Sequence, residues 1–210
     1  MSHRLMADPG FRQDQNARLL DARTKPITEL VDRIRDDRWA PYVAPLHGGV
    51  ESRMLSILRD PGPKTTDGDG SGMLCVENDD PTAELQAELA DSAGIDPSDY
   101  LPWNAYPWYF NRKPNAAELR QGTAPLIELV GLLPRLEIVF LQGSEAKKAW
   151  DLALKAAPAL TAMKTIATYH PGRQALFHPS PEERARRAGH RDAAWREAGI
   201  ILRDSRSAAS

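Results

Sequence analysis

The sequence predicts an α/β fold: a three-layer α/β/α sandwich around a central, mainly parallel sheet of four strands. Two observations lead to it. Short apolar runs alternate with segments of helical periodicity, and three of the apolar runs stop abruptly at proline or at a polar side chain. At 210 residues, 41% of them hydrophobic, the chain is long enough to bury one core, so residues 1–210 are expected to form a single domain.

The elements can be placed in chain order. Residues 1–24 are polar and are expected to form a loose or partly helical N-terminal arm, and Pro26 in a first turn predicts a helix near 26–37. The apolar run at 53–59 reads as a buried strand that Asp60-Pro61-Gly62-Pro63 ends, because proline and glycine forbid its continuation. Further strands are expected at 73–76, 99–103, 136–141 and 164–169. One helix is expected to start at a cap formed by Asp80 or Thr82 and to end at Gly94. Further helices are expected over 116–130, 145–157 and 182–199, and a short strand or tail should follow the last of them.

Composition restricts the possible functions. The single Cys75 excludes an intramolecular disulfide and a thiolate metal cluster, and nothing in the chain requires a metal, nucleotide cofactor or prosthetic group. No apolar segment approaches the roughly 20 residues of a membrane span, and no leader pattern opens the chain, so we expect a cytoplasmic monomer. A formal net charge of −2 gives no general support for nucleic-acid binding, although arginines crowd the last helix.

Three polar side chains stand at predicted strand ends. Asp60 ends the first strand, Asn104 the middle one and His170 the last one. Ligands bind at this rim of an open parallel sheet. Asp can position or deprotonate water, His can stabilise negative charge on a leaving group, and an Asn amide suits the edge of a nucleobase. Together they fit hydrolysis of a bond whose leaving group is a planar heterocycle. Ordinary turn chemistry also explains each residue taken singly.

Four short motifs resemble those of the uracil-DNA glycosylase superfamily. The first is Leu58-Arg59-Asp60-Pro61-Gly62, and the second is Leu101-Pro102-Trp103-Asn104, followed by Asn111-Arg112-Lys113-Pro114. The run from Ile138 to Ala146 is similar to the strand and turn that precede the last motif, which Tyr169-His170-Pro171 matches. The resemblance covers roughly residues 50–200 and implies a branch of the superfamily without an iron–sulfur cluster.

This resemblance implies a base-flipping DNA repair enzyme that excises uracil or a related deaminated base. Asp60 would orient water and stabilise the oxocarbenium-like sugar, Asn104 would read the base, and His170 would stabilise the departing base. His178, in His178-Pro179-Ser180-Pro181, is the alternative catalytic histidine. Other roles carried over are base binding by Pro61, Gly62 and Cys75, and DNA binding by Arg173, Arg112 and Lys113.

Three residues depart from the family pattern. Arg59 replaces the usual glycine of the first motif, Gly62 stands where some members carry tyrosine, and Cys75 falls where an aromatic normally stacks on the base. Two alternatives therefore stay open. One is a catalytically weak or inactive DNA-binding member of the same fold, and the other is an α/β hydrolase of a free nucleoside or small amide.

Overall fold

The computed structural model describes residues 4–36, 38–68 and 70–208. The strands are β1 (Tyr42–Val43), β2 (Met54–Leu58), β3 (Met73–Leu74), β4 (Tyr100–Asn104), β5 (Ile138–Gln142) and β6 (Lys164–Thr168). The α-helices are α1 (Pro9–Ala17), α2 (Lys25–Ile34), α3 (Pro81–Ala93), α4 (Ala116–Gln121), α5 (Thr123–Gly131), α6 (Ser144–Ala156), α7 (Arg173–Leu176) and α8 (Pro181–Ala208).

Four strands form the central sheet in the order β4-β2-β5-β6, and every neighbouring pair is parallel. Helices cover both faces, so the expected three-layer α/β/α sandwich is confirmed. The expected strand at 73–76 does not join this sheet. It is shortened to β3, which pairs with β1 in a separate two-stranded parallel sheet.

The two faces of the sheet bury different clusters because successive strand side chains point to opposite sides. Val139 of β5 lies on the side covered by α2, α5 and α6, together with Trp150 of α6. Phe140 lies on the other side and packs against Trp195 of α8, with ring centroids 4.8 Å apart. Ala90 of α3 belongs to the same second cluster.

Local sequence explains most boundaries. The Asp80 side chain caps α3 by accepting from the Thr82 and Ala83 N–H groups, and Gly94 ends that helix with φ +68°. The single helix expected over 116–130 is instead two helices, α4 and α5, that meet at Gly122. A Cβ at Gly122 would lie 2.2 Å from the Ala105 carbonyl oxygen, so glycine is what lets this backbone pass so close to the chain after β4.

The N-terminal arm is partly helical, which is one of the two expectations for it. It carries the helix α1, and Met6 beside it is buried against Ala44, Met73 and Cys75. The C-terminus differs from expectation: in place of a helix over 182–199 followed by a short strand or tail, α8 continues to Ala208. Leu202 extends the buried face of the helix and is 3% exposed, which favours helix over strand there. No helix in the described ranges is both long and apolar enough to cross a membrane.

Candidate active site

Parallel pairing brings the predicted site residues to one edge of the sheet. Asn104 pairs with Leu58 at the end of β2, and Asp60 follows two residues later. On the other side, Gln142 of β5 pairs with Thr168 of β6, two residues before His170. The carboxyl ends of the four strands therefore lie along one edge of the sheet, as the sequence predicted, with Asn104 on the β4 side and His170 on the β6 side. We call this edge the strand-end site.

Asp60 is buried and bonded to its neighbour. Its side chain is only 4% exposed, and its Oδ1 accepts a hydrogen bond from Arg59 Nε. Burial raises the pKa of Asp60, the Arg59 cation opposes that rise, and the nearby charge of Glu145 adds to it. A carboxylate of raised pKa is a stronger base than an exposed aspartate once it is ionised, which suits it to take a proton from water.

Asn104 presents an amide with spare hydrogen-bonding capacity. The residue is 2% exposed, and its Nδ2 is buried with no hydrogen-bond partner among the described residues. The chain just beyond it is fixed to the Asp60 segment, since Ala105 N–H donates to the Leu58 carbonyl (2.8 Å) and Tyr106 N–H to the Arg59 carbonyl (3.1 Å). Unsatisfied buried amide groups are costly, and a ligand edge would satisfy this one.

His170 is held as a neutral imidazole of defined tautomer. Its Nδ1 accepts a hydrogen bond from Gly172 N–H at 2.9 Å, so the single proton of the neutral ring belongs on Nε2. Burial, aided by the nearby Arg59 charge, lowers the pKa of His170 to about 4. The ring is thus uncharged at neutral pH and offers one N–H donor.

His178 has different surroundings. It lies in the turn before α8, where its Nδ1 accepts from Ser180 N–H (3.2 Å) and its carbonyl accepts from Arg184 (2.7 Å). These contacts hold the first turn of α8. The Nδ1 contact matches that of His170, whose Nδ1 likewise accepts from the N–H two residues later. The two histidines differ in position, because His170 lies two residues after the end of β6.

The residues predicted to bind the base lie in three settings. Pro61 is buried, whereas Gly62 is exposed and a Cβ there would meet no atom within 4 Å. Cys75 is 6% exposed in the cluster with Met6 and Met73, and burial raises the pKa of its thiol to about 12. That environment makes Cys75 a small, unreactive core residue.

The predicted DNA-binding residues stand at the rim. Arg112 donates to both carboxylate oxygens of Glu118 and stacks 3.5 Å from the Phe110 ring centroid, while Lys113 Nζ lies 2.8 Å from Glu145 Oε1. Arg173 is the first residue of α7, and its side chain lies outside the part of the structure that can be described. Phe177, which directly follows α7, is 70% exposed.

Sequence reasoning missed Glu145 as a site residue. It is the second residue of α6, and its side chain is 11% exposed. The available signal was its place just after a strand and a Gly143-Ser144 turn, the same signal that identified Asp60. Burial raises its pKa, but Lys113 and the Ser144 hydroxyl outweigh burial, so the net shift of the Glu145 pKa is downward.

A groove of about 260 Å³ opens beside the histidine. Thr82 and Leu85 of α3 line one wall, and Pro171 and Gly172 line the other. Glu84, which forms an ion pair with Arg4 at 2.6 Å, and Glu88 also line it. Within the described ranges, no group of three or more His, Cys, Asp or Glu side chains is arranged to hold a metal ion.

A scan of the chain against protein-family models and a search of curated proteins both found no match. Functional inference therefore depends on the geometry of the strand-end site. That site combines a base, an amide and a neutral N–H donor, which are the groups needed to hydrolyse a bond to a planar, hydrogen-bonding leaving group.

Proposed function

We propose that this protein is a DNA glycosylase that hydrolyses the N-glycosidic bond of uracil, or of a related deaminated base, after the nucleotide has flipped out of the DNA. The observation that carries the proposal is the state of His170. Its Nδ1 is occupied by Gly172 N–H, and the ring is neutral near pH 7, so Nε2–H can donate to the base as the base departs with negative charge.

The other two residues complete the reaction. Asp60 orients water and takes its proton, and its negative charge also stabilises the positive sugar. Asn104 reads the edge of the base, for which its unpartnered Nδ2 supports a role as donor to a carbonyl oxygen. The proposal includes the expectation that the protein acts as a monomer in the cytoplasm and needs no metal or cofactor.

The test is cleavage of labelled oligonucleotides that contain uracil opposite guanine, opposite adenine or in single-stranded DNA, followed by alkali. Asp60→Asn and His170→Ala should each lose about 10²- to 10⁴-fold in excision rate, since general acid–base and electrostatic terms have that size. Asn104→Ala should lose rate and base preference, and His178→Ala should retain the wild-type rate. Thermal unfolding of each variant controls for lost fold. No strand break with any uracil substrate would overturn the proposal.

A second candidate is a DNA-binding protein of the same fold with little or no chemistry. The contact that favours it is the bond from Arg59 to Asp60, which occupies one oxygen of the proposed base. This candidate predicts salt-sensitive DNA binding without strand breaks, and a smaller salt dependence after Lys113→Met. Cleavage of free deoxyuridine without cleavage of DNA would instead indicate a nucleoside hydrolase.

A further inference from the structure

Glu145 lies between two residues of the proposed mechanism. Because β5 is flanked by β2 and β6, the segment after β5 lies between the loop that carries Asp60 and the loop that carries His170. Gly143 brings the two segments into contact: its φ is +100°, and a Cβ there would be 3.3 Å from the His170 Cβ. The first turn of α6 therefore begins against the histidine.

The surroundings of Glu145 keep its carboxylate ionised. Oε1 lies 2.8 Å from Lys113 Nζ, and Oε2 accepts from the Ser144 hydroxyl at 2.8 Å. The N-terminus of the 13-residue helix α6 adds a favourable dipole. Lys113 is 63% exposed and Glu145 only 11%, so the lysine is the part of the pair that a phosphate can reach.

Asp60 and Glu145 are two acids of the same site whose pKa values are shifted in opposite directions. Burial raises the pKa of Asp60, and the charge of Glu145 contributes to that rise, whereas the pKa of Glu145 itself is lowered. The charge of Glu145 also opposes the fall in the pKa of His170. Two carboxylates whose environments drive their pKa values apart are typical of sites where each acid has its own task.

We propose that Glu145 is a second catalytic carboxylate, which faces the sugar and stabilises its positive charge while Asp60 handles the attacking water. This inference rests on the proposed glycosylase function. In the reaction the C1′–N bond breaks and its electron pair leaves with the base, which His170 stabilises. The water oxygen bonds to C1′, and its proton passes to Asp60 and then to the departed base anion. Glu145 forms no covalent bond. A DNA phosphate attracts Lys113 and leaves the charge of Glu145 directed at the sugar.

The experiment is single-turnover excision from a uracil oligonucleotide across pH for Glu145→Gln, Glu145→Asp and the wild type. Glu145→Gln should lower the rate about 10- to 100-fold. It should also move the acid limb of the profile to lower pH, because Asp60 loses a negative neighbour and its pKa falls. Glu145→Asp keeps the charge and should keep the limb near its wild-type position.

Glu51→Gln is the matched control. It breaks an ion pair of 3.3 Å with Arg135 next to the opposite end of the sheet, and neither rate nor limb should change. An active wild type with an unchanged rate and profile in Glu145→Gln would overturn the inference alone. A wild type inactive on every uracil substrate would overturn the proposed function and the inference with it. If Glu145→Gln fails to fold, the rate of Glu145→Asp decides: a loss of about 10-fold with the acid limb in place supports the inference, because the shorter side chain withdraws the charge from the sugar, and an unchanged rate overturns it.

Discussion

The guanidinium of Arg59 donates a hydrogen bond from Nε to Oδ1 of Asp60, its neighbour in the chain. Asp60 is almost fully buried, while 42% of the Arg59 side chain remains exposed. A partly hydrated cation therefore partners a desolvated carboxylate and limits the rise in the pKa of Asp60 that burial causes. Arg59 thus opposes the effect of burial on the acid that follows it.

Arg59→Gly should move the acid limb of excision to higher pH. Without the guanidinium, burial and the Glu145 charge act on Asp60 unopposed, so its pKa rises further and the base is protonated over a wider acidic range. The pKa of His170 should rise too, since the Arg59 charge contributes to lowering it, and this adds to the loss at low pH. Single-turnover rates between pH 5 and pH 9 measure the shift, with Arg59→Lys as the charge-retaining control. An acid limb that stays in place, or moves down, would contradict this account of the pair.

Much of the strand-end site could be predicted from the sequence because the strands end where covalent chemistry forces them to. Proline and glycine after Asp60 and proline after His170 mark those ends without any tertiary information. Glu145 was missed because Gly143-Ser144 also reads as an ordinary helix start. Only the sheet order, with β5 between β2 and β6, brings it beside the other two residues.

Other features depend on long-range contacts that no local pattern records. Strand β3 lies within the strand predicted at 73–76, but β1 is two residues long, too short to show a period, so the pairing of Tyr42 with Met73 could not be predicted. The C-terminal extension of α8 is similar. Its last turns are fixed by buried Leu202 and by Arg53, whose Nη2 donates to the Leu202 carbonyl at 2.7 Å.

Phe177→Ala should weaken DNA binding without changing stability. Phe177 is 70% exposed at the end of α7, the short helix that follows the His170-Pro171 segment, and Arg187 donates to its carbonyl at 3.1 Å. An exposed aromatic side chain can stack on a base, a contact worth about 1–3 kcal/mol, so affinity should fall about 5- to 150-fold. Fluorescence anisotropy with a uracil oligonucleotide measures the affinity, and thermal unfolding measures the stability.

The control is Leu20→Ala, because Leu20 is 68% exposed between α1 and α2. This substitution should change neither the affinity for DNA nor the stability. Equal affinities for Phe177→Ala and the wild type would exclude the contact.

His47 should make the fold sensitive to mild acid. Its ring is 0% exposed, with Nδ1 within 3.1 Å of the Tyr100 carbonyl and 3.2 Å of the Pro97 carbonyl, and Nε2 accepting from Val76 N–H at 3.3 Å. Burial lowers the pKa of His47 to about 4 from an unfolded value of 6.5. The unfolded chain therefore binds the extra proton between those pH values, and stability falls as pH drops from 6.5 to 4. The loss should approach about 3 kcal/mol, since each pKa unit corresponds to about 1.4 kcal/mol.

Urea unfolding of the wild type and His47→Gln at pH 7, 6, 5 and 4 tests this. The variant should be less stable at pH 7, because glutamine cannot reproduce all three contacts, yet its stability should depend less steeply on pH. His170→Gln removes the other histidine whose pKa is lowered to about 4 and should flatten the curve in the same window. A His47→Gln curve parallel to that of the wild type would show that His47 does not cause the sensitivity.

Arg53→Met should be strongly destabilising while leaving the chemistry of the strand-end site intact. Arg53 is 5% exposed just before β2, at the opposite end of the sheet, where Nε donates to Glu137 at 2.7 Å and Nη1 lies 3.5 Å from Asp99. Methionine fills similar volume but removes the Arg53 cation from the buried Asp99 carboxylate, which costs about 3–5 kcal/mol.

The exposed pair of Arg135 and Glu51 is the comparison, and Arg135→Met should cost less than about 1 kcal/mol. Urea unfolding at pH 7 measures both, and single-turnover excision at a temperature where each variant is folded should give the wild-type rate. A loss near 1 kcal/mol for Arg53→Met would mean that Arg206, which also bonds Asp99, suffices to hold that carboxylate.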